Sequence, residues 1–192
     1  GGAMRPRVVL DEARVLDSSA GQGSRGIGPR GDMLLAKLNW LARARRRRIF
    51  EERRLAQPQA PVIVAEGDSW FQFPVLLNDV VDHLLDAGRL VSSLDEAGDT
   101  LDNMVKQGEY LDELRRTNAS VLLLSAGGND VLGGGDLANH LRDEDPALAP
   151  SDLLLPSFYA VMDHALGQYE RIVREVEALP GHVMMICHGY DR

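Results

Sequence analysis

Between Pro61 and Pro74 the chain reads Pro-Val-Ile-Val-Ala-Glu-Gly-Asp-Ser-Trp-Phe-Gln-Phe-Pro, and this stretch narrows the possible folds more than any other. Val62 to Ala65 is a short apolar run rich in β-branched residues, the pattern of a buried strand. Gly67 opens a small acidic turn, and an apolar helical pattern begins near Val75. The order is strand, tight turn, helix. Ser69 then lies at the carboxyl end of a strand and close to a helix N-terminus, where free N–H groups and the helix dipole favour negative charge. Serine is equally a common N-cap, so the turn by itself leaves Ser69 open between nucleophile and cap.

Two later stretches bear on that choice. Glu96-Ala97-Gly98-Asp99-Thr100 follows a second apolar run, and Ser125-Ala126-Gly127-Gly128-Asn129-Asp130 follows a third. Three polar, glycine-bearing turns therefore close three successive strand candidates. In an open parallel sheet the carboxyl ends of the strands share one rim, and ligands bind there.

These residues resemble the SGNH, or GDSL-like, hydrolases. Gly67-Asp68-Ser69 is similar to the first block of that family, Gly98 with Asp99-Thr100 to the second, and Gly127-Gly128-Asn129-Asp130 to the Gly-x-Asn-Asp third. The resemblance implies a three-layer α/β/α flavodoxin-like parallel sheet and a serine esterase or lipase-like activity. It further implies that Ser69 attacks an acyl carbonyl, with the Ser69 and Gly98 backbone N–H groups and the Asn129 amide as the oxyanion hole. The fourth block of the family, Asp-x-x-His, supplies the base and its orienting carboxylate, and no Asp-x-x-His occurs in this sequence.

The rest of the chain is read around this core. At 192 residues, 44% hydrophobic and 26% charged, it has the size and composition of one soluble domain with an appendage. We expect an irregular arm over residues 1–31, a helix over 32–57 and the α/β domain over 58–192. Gly1-Gly2-Ala3-Met4 reads as an expression scar; a signal peptide can have been removed with it, and the visible sequence points to the cytoplasm. Within 32–57, Leu34, Leu38, Leu41 and Phe50 are expected to dock on the domain, with Arg43, Arg45, Arg46, Arg47 and Arg48 facing solvent or a partner. Helices are expected over Val75–Ala87, Thr100–Arg116 and Pro156–Leu179, and strands over Leu90–Leu94, Ser120–Ser125 and His182–His188. Residues 131–155 form a long Gly-, Asp- and Pro-rich loop region, a candidate pocket wall. The sheet reads as unfinished at the C-terminus, since a doubly wound sheet normally continues with a covering helix.

Of the five histidines, His83, His140 and His164 fall in helical or loop stretches, and His182 starts its strand on the opposite rim. His188 ends the fourth strand candidate on the same rim as Ser69 and is the base candidate within the chain. The more economical expectation places the base outside it, on a C-terminal segment or second chain that completes the fold. Asp68 and Asp130 do not substitute, because a carboxylate is far too weak a base for a serine hydroxyl unless strongly shifted. They are read instead as tying down the turns that carry Ser69 and Asn129.

The net charge of −8 argues against a nucleic-acid surface, and no apolar run reaches the ~20 residues of a membrane span. The lone Cys187 is read as a buried inert thiol. Nothing demands a metal or organic cofactor. The expected substrate is a small-molecule ester. The alternative is a catalytically silent module of the same fold that binds an acylated or glycosylated ligand. A nucleotide-binding flavodoxin-like domain fits less well, because the acidic Glu66-Gly67-Asp68 turn would repel phosphate.

Overall fold

The computed structural model describes residues 29–73 and 77–187. Its sheet is all parallel, with strands β1 (Val62–Gly67), β2 (Leu90–Ser93), β3 (Val121–Ser125) and β4 (Met184–Cys187) in the order β2-β1-β3-β4. Helices α1 (Pro29–Ala56), α2 (Val80–Asp86), α3 (Leu101–Gln107), α4 (Glu109–Thr117), α5 (Gly128–Leu132) and α6 (Pro156–Glu177) flank it. The architecture is α/β, consistent with a flavodoxin-like α/β/α fold. Of the irregular arm expected over 1–31, residues 1–28 lie outside the described residues, as do the start of the helix expected at Val75 and His188, while 29–31 are helical instead of irregular.

Alternation along the strands builds two cores. Val62, Val64, Leu90, Leu122 and Leu124 pack against Leu101, Met104 and Val105 of α3, Tyr110 and Leu114 of α4, and Ile172 and Val176 of α6. Ala65 and Val91 turn the other way, to Val81 and Leu85 of α2 and to Phe71. Each large aliphatic side chain so buried contributes about 1.5–3 kcal/mol. The second face is open toward β4, where Met184 and Ile186 are exposed. Cys187, at the end of that strand, is exposed as well. The apolar run around it gave the opposite expectation because a central strand and an uncovered edge strand look alike in sequence.

The helix expected from Thr100 is two helices. Gly108 adopts φ 65°, in the left-handed region, and its N–H closes on the Met104 carbonyl, so α3 ends there and α4 starts afresh. Residues 133–155 are more ordered than a plain loop. They hold two 3-10 segments, Gly133–His140 and Pro150–Leu153, and an antiparallel bridge between Leu141 and Leu154.

Helix α1 corrects the expected docking face. It starts at Pro29, which suits the first helical position, and packs along β2, the edge strand. Phe50 enters one core and Ile49 borders the other. Leu34, Leu41 and Trp40 are nevertheless exposed, Trp40 by 66%. Nine residues at ~100° each put Phe50 about 180° round the helix from Leu41, so both cannot face the sheet. The face that wins carries Asn39, Arg46 and Phe50. Arg46 is 2% exposed, not solvated as expected. Arg53 donates to the Leu85 carbonyl at 2.6 Å, and Arg54 to that of Thr117 at 3.3 Å. Long side chains of this kind bury their stems and spend the guanidinium on carbonyls that helix ends leave open.

Candidate functional site

Ser69 occupies the turn after β1, Gly98 the turn after β2 and Asn129 the first turn of α5 after β3. Because β1 lies between β2 and β3, the Ser69 turn is central and the other two flank it on the same rim. Ser69 is not the N-cap of the following helix. That role belongs to Asp79, whose carboxylate accepts the Asp82 N–H at 3.0 Å. Residues 68–72 instead make one isolated helical turn, with the Asp68 carbonyl accepting from Phe71 and Gln72 at 3.1 and 3.0 Å. The helix that follows among the described residues begins at Val80, with Asp79 as its cap.

Asp68 holds the turn. It is buried, and its Oδ1 accepts the Trp70 N–H at 3.1 Å and the Ser125 hydroxyl at 3.0 Å. Its own N–H donates to the Ser125 carbonyl at 3.0 Å. The first turn is thereby fastened to the third. Gly67 is required by closeness: a Cβ there would lie 2.6 Å from Phe71 Cδ2 and 3.1 Å from Ser125 Cβ.

The second turn is fastened on both sides. The Glu96 N–H donates to the Gly67 carbonyl at 2.9 Å. Gly98 adopts φ 89°, a conformation that other residues rarely take. Asn129 Nδ2 donates to the Asp99 carbonyl at 2.7 Å, and Asp130 Oδ2 accepts the Leu101 N–H at 3.0 Å. Asn129 is thus brought to the Gly98 turn with one amide hydrogen committed there. An amide carries two. Tyr169 from α6 donates to the Ala126 carbonyl at 2.7 Å and packs over Gly127, whose φ is 98°.

Buried acids stand behind the rim. Burial, reinforced by Asp95 and Asp99, holds the Glu66 carboxyl well above the usual range. Asp95 is pushed up to about 8 by burial, against the opposing hydrogen bond from Ser93 and the charge of Arg46. Asp99 is also raised, first by burial. Carboxyls that hold their protons more tightly in this way oppose negative charge developing at the rim less than fully ionised ones would.

His83 and His182 are exposed, His140 Nδ1 meets the Ser157 hydroxyl at 3.0 Å, and His164 Nε2 lies 2.8 Å from Asp102 Oδ1. His188 lies outside the described residues. Two hollows among the described residues bear on the rim. An apolar one of about 210 Å³ is lined by Trp70, Phe71, Val80, Leu123 and Ile186 and adjoins the Ser69 turn. The larger, about 700 Å³, opens between α1, β2 and α4, and its lining includes none of Ser69, Gly98 or Asn129. We take the smaller as the one relevant to the rim because of that proximity.

Sequence reasoning missed Asn39 and Arg46, which bind the first two turns from α1, and Gln72, which meets Asn39 from the first turn. Asn39 and Arg46 stand seven residues apart, two helical turns along one face. A polar pair at that spacing beside Phe50 was the available signal, and the nearby leucines masked it.

Among the described residues, no helix is long and apolar enough to cross a membrane, and no group of three or more His, Cys, Asp and Glu side chains is arranged to hold a metal ion. No protein-family model matches the chain, and no curated protein matches it.

Proposed function

We propose that the chain carries the nucleophile and oxyanion hole of a serine acyl hydrolase acting on a small ester. The observation that supports this reading is the mutual fastening of the three turns: Asp68 to Ser125, Glu96 to Gly67, and Asn129 to Asp99. Preorganised donors act best when they need no rearrangement as charge develops.

In this reading the Ser69 Oγ forms a bond to the acyl carbon while a histidine takes its proton. The Ser69 and Gly98 N–H groups and the Asn129 amide receive the oxyanion. On collapse the bond to the alcohol oxygen breaks, and the histidine returns its proton to that oxygen. Water, deprotonated by the same histidine, then releases the acid and frees Ser69. The base is His188 or a histidine from a segment or second chain outside this sequence. The apolar hollow beside Trp70 suits the acyl part of the substrate.

A serine-directed fluorophosphonate tests the reading. Mass mapping should find the label on Ser69, slowly with this chain alone and faster when the base is supplied, and Ser69→Ala should abolish it. Labelling elsewhere, or none under either condition, refutes the hydrolase. The absence of an Asp-x-x-His block from this sequence favours, as a second reading, a silent module that binds an acylated or glycosylated ligand. Ligand binding at the rim without labelling of Ser69 would select it.

A further inference from the structure

Helix α1 reaches two of the three rim turns through one row of buried polar side chains. Asn39 is 7% exposed and makes a two-way bond with the second turn: its Nδ2 donates to the Ala97 carbonyl at 3.1 Å, and its Oδ1 accepts the Ala97 N–H at 3.3 Å. The same Oδ1 accepts from Gln72 Nε2, at 2.7 Å, in the first turn. Two helical turns further along, Arg46 Nη1 donates to the Phe71 carbonyl at 2.8 Å. Ala97 directly precedes Gly98, and Phe71 lies two residues beyond Ser69. An amide side chain satisfied on both atoms by groups of two separate turns fixes their separation, since none of these buried partners can turn to water without loss.

We infer that Asn39 and Arg46 are positioning residues: they hold the Gly98 N–H and the Ser69 turn in mutual register, which makes helix α1 a working part of the rim instead of an appendage. This rests on the acyl-hydrolase reading only for its catalytic consequence. The geometric part stands on the hydrogen bonds alone. An acceptor that shifts by a fraction of an ångström loses much of what an oxyanion-hole donor supplies, so a loosened Gly98 turn should slow the chemistry and leave ligand affinity largely intact.

The test uses the full chain and two readouts. The first is amide NMR: Asn39→Ala should shift the Ala97 and Gly98 resonances and raise Ala97 amide exchange about tenfold, the equivalent of one lost hydrogen bond. The second is fluorophosphonate labelling of Ser69 as a function of probe concentration. The limiting rate should fall about tenfold or more, with the half-saturation concentration unchanged within about twofold. Trp40→Ala, one residue away on the exposed side, should move neither. Should Asn39→Ala fail to fold, Gln72→Ala, which removes one of the donors to Asn39 Oδ1, is read at the Ala97 and Gly98 amides in its place.

Unchanged Ala97 and Gly98 amides in Asn39→Ala, or in Gln72→Ala where that variant replaces it, overturn the inference. So does a rise in the half-saturation concentration at constant limiting rate, which would make α1 a binding element. If wild-type Ser69 takes no label, the acyl-hydrolase reading fails by itself, and the NMR readout still decides whether α1 registers the two turns.

Discussion

Arg46 Nη1 lies 2.8 Å from the Phe71 carbonyl while Nη2 of the same side chain pairs with Asp79. Asp79 Oδ2 in turn accepts the Phe73 N–H at 3.1 Å. One guanidinium thus grips both the chain just after Ser69 and the carboxylate that caps α2. Asp82 and Asp95 stand 3.3 and 3.4 Å away, so a single positive charge faces three carboxyl groups in a nearly dry site.

Removing that charge should be costly. Arg46→Met is expected to destabilise the fold by about 3–5 kcal/mol, because it leaves the Asp79 carboxylate buried without its cation. Arg48→Ala, on the solvated side of the helix, should stay within about 0.5 kcal/mol of wild type. Urea unfolding measures both, and equal effects would show that burial of Arg46 is energetically irrelevant.

Asp95 sets a pH dependence with a definite sign. Its carboxyl, pushed up to about 8 chiefly by burial, binds a proton more tightly folded than unfolded. The stability it contributes is complete below about pH 4 and is lost as pH rises through about 8. Asp95→Asn carries no ionisable group there. Its stability relative to wild type should therefore climb across that window by about 1.4 kcal/mol per pH unit, roughly 5–6 kcal/mol in all. Thermal melts at pH 4, 6 and 8.5 give the comparison, and a constant difference would mean Asp95 stays ionised.

Gly67 has no room for a methyl group. Gly67→Ala forces the new Cβ against the Phe71 ring and the Ser125 Cβ, and overpacking of this kind costs about 1–3 kcal/mol. Because both neighbours belong to the fastened turns, the loss in Ser69 labelling should exceed that of an equally destabilised variant elsewhere in the core, such as Val176→Ala. Matching the two at equal stability separates the effects.

In a hydrolysis-competent form with its base supplied, Asn129→Ala is expected to lower turnover by about 10²–10³-fold. Asn129→Asp should not rescue it, since a carboxylate in that place would repel the oxyanion and the Asp99 carbonyl alike. Ester kinetics decide the point, and a change confined to KM would remove Asn129 from the chemistry.

The sheet was legible because its signals are local. Runs such as Val121–Ser125 are apolar and β-branched or leucine-rich, and each ends in a glycine turn, so strand, turn and helix can be read in sequence order. Gly98 and Gly127 were legible for the same reason: both adopt positive φ, and glycine is the residue that accepts it. The docking face of α1 was not legible. Its partners Ala97, Phe71 and Asp79 are far away in sequence, and hydrophobicity pointed to Leu34 and Leu41 on the wrong side. Gly108 was overlooked because one glycine within a long helical pattern is usually tolerated. The link from Asn39 to Gln72 and Ala97 exists only once three separate segments have met.

That separation has a kinetic side. Asn39 and Ala97 are 58 residues apart, so during synthesis at roughly 5–20 residues per second α1 waits about 3–12 s before its partner has been made. At 28 residues it is long enough to hold some helical structure unaided. The polar part of the docking face, Asn39 and Arg46, stays hydrated during the wait, where a wholly apolar face would invite premature collapse. Helix α1 is in this way kept sticky only toward a surface that does not yet exist.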